Sequence, residues 1–203
     1  NERKDIRELS SQYAKLQTLI NYVNVDSLRE QHRKQLKNKA VGVDGITKEE
    51  YSKNLEENLQ YLMKRMRNFS YRPQSVRRTY IPKGNGKLRP LGIPSYEDKL
   101  VQGCMAYVLN EVYEPRFLDC SYGFRENRRA HDAIREINQL IMIKKVNYIL
   151  DCDIKGFFDN IDQGWLIKFL ENDINIKPIP FYEVSNQFDG ETIYIAKELN
   201  YGD

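Results

Sequence analysis

Residues 148–162 read Y-I-L-D-C-D-I-K-G-F-F-D-N-I-D and set four aspartates and two adjacent phenylalanines at the end of an apolar run. On a strand, Asp151 and Asp153 share parity and point to one face, while Leu150 and Cys152 point to the other. A carboxylate at the end of a buried strand stays ionised when it binds a cation. Asp153 is therefore a candidate ligand for a hard divalent ion. Lys155 and Gly156 follow in a bend that presents Phe157 and Phe158 beside that carboxylate, where one aromatic could floor a sugar or base pocket. Asp159 and Asp162 read instead as turn and cap residues, since D-N-I-D is good turn chemistry.

These groups need a frame. Val146 to Ile154 is the one run that reads as a buried strand. Before it, a helix over about 128–144 is expected to bury Ala130, Ala133, Ile134, Ile137 and Ile141; after it, a short amphipathic helix resumes from Trp165 to Glu171. Ser95, with Asp98 at the third position, opens a core helix whose stripe runs through Leu100, Val101, Cys104, Met105, Val108, Leu109 and Val112 down to Pro115. Residues 76–93 read as two short strands joined by a Gly-Asn-Gly turn. That hairpin carries Arg77, Arg78, Lys83, Lys87 and Arg89 and forms a small basic arm. Further upstream, Thr47 and Glu50 have the capping-box form and predict a helix over about 48–67. Asp26 is placed to cap a helix through residues 27–39, on which Arg29, Arg33, Lys34 and Lys37 recur at helical spacing.

A chain of 203 residues, 40% hydrophobic and 30% charged, is that of a globular protein and not of a disordered one. No apolar run reaches the roughly 18 to 20 residues of a membrane span, no secretory leader is visible, and Cys104, Cys120 and Cys152 form no C-x-x-C pair. These features predict reduced thiols, buried as small hydrophobes, in an intracellular, cytoplasmic protein without membrane contact. The net charge of +3 hides an asymmetry: residues 1–90 carry 20 Lys and Arg against 10 Asp and Glu, a balance of +10, and the remainder stands at −7. One half suits a polyanion and the other suits cations.

Four segments in order carry a resemblance: V-G-V-D-G-I-T at 41–47, R-R-T-Y-I-P-K-G-N-G-K-L-R-P-L-G-I-P at 77–94, S-Y-G-F-R-E-N-R-R-A-H-D-A-I at 121–134, and D-C-D-I-K-G-F-F-D-N-I-D at 151–162. Together they resemble the group II intron-encoded reverse transcriptases, or maturases, over roughly residues 26–172. The resemblance implies an α+β fold, the helix-rich fingers and partial palm of a right-hand polymerase with a small antiparallel hairpin. Residues 1–25 would be an N-terminal extension, 26–118 fingers, 119–175 the beginning of the palm, and 176–203 a tail with no assignment. It further implies that Asp153, with the carbonyl of Ile154, holds Mg2+, and that Lys83 and Arg89 grip the incoming dNTP. Phe158 would pack under its sugar, with Phe157 the alternative if the register shifts. The implied partners are structured intron RNA and an RNA template with its DNA primer. Arg29, Arg33, Lys34, Lys37, Arg77 and Arg78 are expected to contact RNA; Arg125, Arg128 and Arg129 match template contacts, with a solvated basic surface as the alternative.

The sequence departs from that family where a Tyr-Ala-Asp-Asp-like box and a Pro-Gln-Gly segment would stand. The expectation is a fragment, inactive as a polymerase by itself, whose cut palm leaves apolar faces able to drive homodimerisation. Two functions remain open: an RNA-directed DNA polymerase that also assists intron splicing and mobility, and an RNA-binding maturase-type module without synthesis of its own. A reverse transcriptase serving bacterial defence or another mobile element uses the same segments.

Overall fold

The computed structural model describes residues 2–17, 19–82, 86, 88–154, 157 and 160–175. Seven α-helices and one two-stranded antiparallel sheet occupy them: α1 Glu2–Gln12, α2 Val25–Lys34, α3 Lys48–Ser52, α4 Leu55–Arg67, β1 Arg77–Pro82, β2 Leu88–Ile93, α5 Tyr96–Tyr113, α6 Ala130–Ile143 and α7 Gln163–Asp173. The helix-rich α+β fold class with a small hairpin is as expected.

The core is built around α5. Its stripe of Leu100, Val101, Cys104, Val108 and Val112 is buried as the spacing requires, with Met105 and Leu109 packed at its edge. Ser95 caps the helix, its Oγ accepting from the Asp98 amide at 3.3 Å. Ile6 of α1 and Leu28 of α2, whose helices pack on α5, share this cluster with Leu59, Leu62, Met63 and Met66 of α4, which packs on α2. From the segment expected as an N-terminal extension, Leu16, Leu19 and Val23 are buried with Ile6 in the same cluster.

Local chemistry adjusts several boundaries. The cap of α2 is Asn24 and not Asp26: Asn24 Oδ1 accepts from the Ser27 amide and Ser27 Oγ accepts from the Asn24 amide, both at 2.9 Å. The helix stops at Lys34, so Lys37 falls in the following turn instead of on the helical face. Thr47 caps as expected, accepting from the Glu50 amide at 3.1 Å. The helix it opens breaks at Lys53–Asn54, where Lys53 N turns back to the Glu50 carbonyl at 3.2 Å; Ser52 Oγ bonds the Lys48 carbonyl at 2.6 Å and Asn58 Nδ2 the Tyr51 carbonyl at 3.1 Å.

The largest correction concerns the C-terminal part. Val146 to Ile154 carries no strand and is exposed throughout; Tyr148 stands 93% and Leu150 87% open to solvent. A strand exists only where a neighbouring backbone completes its hydrogen bonds, and β1 and β2 are already paired with each other. Helix α6 forms, but of the side chains expected to be buried Ala130, Ile134, Ile137 and Ile141 are exposed and Ala133 is half-buried. Helix α7 is tied back to the body by a parallel bridge between Leu16 and Ile174, with Leu16 N donating to the Asp173 carbonyl at 2.8 Å. Of the three cysteines only Cys104 is a core residue; Cys120 and Cys152 are exposed.

Candidate nucleotide and nucleic-acid site

The basic arm is a ribbon whose register pairs Arg77 with Ile93, Thr79 with Leu91 and Ile81 with Arg89. Directly opposed residues share a face, so Arg77 and Arg89 project on one side and Arg78 with Tyr80 on the other. All of β2 except Ile93 at its base is exposed. Lys83, the other residue expected to meet a triphosphate, lies outside the described residues, as does most of the turn.

What holds the ribbon is its root. Gly42 lies so close to the Pro94–Ser95 backbone that an added Cβ would sit 2.5 Å from the Pro94 carbonyl oxygen. Asp44 Oδ2 accepts from the Tyr96 amide at 2.7 Å, satisfying a first-turn donor of α5. Lys99 Nζ reaches over to the Ala40 carbonyl at 2.7 Å. The V-G-V-D-G segment, part of the first of the four segments that carry the resemblance, is thus the clamp between the loop after α2 and the helix that anchors the ribbon.

Behind this root is a polar cluster. His32, buried, takes Tyr96 Oη at Nδ1 (2.9 Å) and Ser52 Oγ at Nε2 (3.1 Å). Ser52 has already spent its hydroxyl proton on the Lys48 carbonyl, so Ser52 accepts from Nε2–H and Tyr96 donates to Nδ1. Both ring nitrogens are satisfied by the neutral imidazole, and burial, helped by the charge of Lys48, lowers the His32 pKa below its ordinary value. Burial pushes the Tyr96 hydroxyl up to about 12. Asp98, also buried, accepts from Tyr71 Oη and from the Gln74 amide at 3.0 Å, fixing the chain that leads into β1.

On α2 the cations are largely neutralised by partners the spacing did not reveal. Arg29 is held in a fork by Glu56, both contacts at 2.8 Å, and also meets Asp26. Arg33 is held the same way by Glu30, while Lys34 lies over the Tyr107 ring at 5.6 Å. Lys37 is exposed and carries no ion pair among the described residues.

The S-Y-G-F-R-E-N-R-R loop separates its arginines sharply. Arg125, expected at a template, is buried at 6% side-chain exposure. Its five N–H donors go to the Glu114 carboxylate and to the carbonyls of Glu114, Leu118 and Ser121. The guanidinium is spent inside the chain and organises the loop. Arg128 bonds Asp119 through its carbonyl and, at 3.1 Å, its carboxylate. Arg129 is exposed and makes no ion pair among the described residues.

Asp151, Asp153 and the adjoining Ile154 are all exposed, with Phe157 about half open; Phe158 and Asp159 lie outside the described residues. Asp162 is a cap, as its turn chemistry suggested, accepting from the Trp165 amide at 2.9 Å. No group of three or more His, Cys, Asp or Glu side chains able to hold a metal is gathered among the described residues. The donors offered, a carboxylate and a backbone carbonyl, are nonetheless the hard oxygens that Mg2+ takes, an ion bound through one or two carboxylates plus substrate phosphates and water. No helix among the described residues is long and apolar enough to cross a membrane.

The family described as reverse transcriptase (RNA-dependent DNA polymerase) matches residues 81–203, a stretch that includes the segment from 176 onward to which the sequence reading gave no assignment. The chain is 36% identical to the group II intron-encoded protein LtrA of Lactococcus lactis subsp. cremoris over 152 residues, 74% of this chain and 25% of that one. It is 37% identical over 137 residues to Protein YkfC of Escherichia coli K12, covering 66% of this chain and 36% of the relative. It is also 42% identical over 98 residues to an uncharacterised 91 kDa protein in the cob intron of Schizosaccharomyces pombe, covering 48% and 12%. The chain thus spans about a quarter to a third of the length of the first two of these relatives.

Proposed function

The chain belongs to the reverse transcriptase (RNA-dependent DNA polymerase) family, and from that premise we propose that it is the fingers and the start of the palm of a group II intron-encoded polymerase that also binds intron RNA and assists splicing and mobility. The observation that carries this reading is the basic ribbon rooted by Gly42, Asp44 and Lys99 on the N-terminus of α5, with Arg77 and Arg89 on one face. A rigid root and an exposed cationic face are what a group that must meet a triphosphate or a phosphodiester backbone requires.

Reverse transcriptases use divalent metal ions. In this chain Asp153 and the Ile154 carbonyl are the residues assigned to Mg2+, whose chemistry when bound is to lower the pKa of the primer 3′ hydroxyl and neutralise charge on the leaving pyrophosphate. Lys83 and Arg89 take the dNTP phosphates, and Phe158, or Phe157, the sugar. Arg77, Arg78, Lys37, Arg128 and Arg129 meet RNA; Arg29, Arg33 and Lys34 do so only by exchanging their carboxylate or ring partners, and Arg125 supports from within. Primer extension on an RNA template tests the assignment. Asp153→Asn is expected to lower incorporation by orders of magnitude, and near-normal extension would remove Asp153 from the site.

A further inference from the structure

One residue of the S-Y-G-F-R-E-N-R-R loop is held in a conformation its side chain does not favour. Phe124 has φ 57°, in the left-handed region, and its ring is fully exposed. Asn127, at φ 61°, is an ordinary occupant of that region; a bulky aromatic is not. Gly123 beside it keeps a negative φ and has open space where a Cβ would be. The strain has therefore been placed on the aromatic although a glycine was next to it.

The surroundings hold the loop in this state. Arg125, next in the chain, anchors it with all five guanidinium donors and lies over the Phe117 ring at 5.2 Å. Arg128 ties the far side to Asp119 and lies over Tyr122 at 5.4 Å. Strained residues persist where the neighbouring structure over-determines them, and such sites concentrate where a ligand is met. Here the anchored loop holds out a bare π face between Gly123 and a run of polar and charged residues ending in Arg129, exposed and without an ion pair among the described residues.

We infer that Phe124 is a stacking platform for an unpaired base of single-stranded nucleic acid, with Arg129 taking the adjoining phosphate. Aromatic faces with interleaved cations are how single strands are held without regard to sequence, because every base has a π face. A double helix offers no base to such a platform, so the site selects unpaired segments. This inference rests on the nucleic-acid reading above and adds to it a residue and a strand preference.

The test uses the chain with a short single-stranded RNA containing one 2-aminopurine. Binding is expected to change the probe's fluorescence. Phe124→Ala is expected to weaken affinity about tenfold or more, to abolish the fluorescence change and to leave duplex RNA binding and the salt slope unaltered. Phe124→Tyr should retain both. Phe124→Gly separates the inference from a packing role, since it relieves the left-handed strain and is expected to raise the thermal midpoint while weakening single-strand binding. If Phe124→Gly and Phe124→Ala both lower the midpoint and leave RNA affinity unchanged, the ring is internal packing and the inference falls while the nucleic-acid reading stands. If the unmodified chain binds no RNA at low salt, both fall.

Discussion

Two regions of this molecule carry the same kind of sequence and meet opposite fates. From α1 to α5 apolar stripes are buried, leaving Leu28, Leu59, Leu62, Leu100 and Val112 with no exposure. From α6 to α7 stripes of equal quality face outward, Ile137 at 56% and Phe169 at 62% exposure, and the apolar run before Asp153 pairs with nothing among the described residues. An amphipathic pattern states what a segment is able to bury; only another segment decides whether it does. The proposed metal ligand stands in the second region and the proposed phosphate-gripping ribbon is rooted in the first.

Substitutions can break that contrast. Leu100→Ala should cost about 2–5 kcal/mol by urea denaturation, the loss of a buried leucine with its cavity, whereas Ile137→Ala should stay within about 0.5 kcal/mol. Equal costs would mean that α6 is packed as tightly as α5. Gly42→Ala ranks next at about 1–3 kcal/mol, because the new methyl meets the Pro94 backbone; a neutral effect would show that the root of the ribbon is loose. Smaller still are the caps. Thr47→Ala should cost about 1 kcal/mol in global unfolding, and Asp162→Ala less, since α7 touches the core mainly through Ile174 and Leu170.

The pH dependence follows from His32. Its folded pKa lies below the ordinary 6.5 because burial disfavours the charged ring. The stability tied to the neutral form is fully present above 6.5 and is lost as pH falls toward the depressed folded value. The groups facing the ring are Tyr96, Ser52, Tyr51 and Lys48. The thermal midpoint should therefore drop between pH 7.5 and pH 5, and His32→Gln should remove that part of the drop. An unchanged profile in the variant would place the acid sensitivity elsewhere.

Much of this architecture could be read from the residues themselves. The stripe of α5, the Thr47 cap, the ribbon and the cap at Asp162 are local, so spacing of a few residues fixed them. Two features were not local. The forked partner of Arg29 is Glu56, 27 positions later, so a face that reads as cationic is largely compensated. Arg125 looks like any exposed arginine until the loop from Glu114 closes around it. The clamp at Gly42 and Asp44 was the functional feature missed, because the backbone that leaves no room for a side chain at Gly42 belongs to Pro94 and Ser95, about 50 positions later.

The most direct test of the central claim is the affinity of the chain for structured RNA as a function of salt, compared between Arg77→Glu with Arg89→Glu and the control pair Lys144→Glu with Lys145→Glu. A cationic ribbon that grips phosphates predicts a steep, linear fall of log affinity with log salt and a much larger loss from the ribbon pair. Binding that ignores salt, or that weakens equally in both double variants, would contradict it.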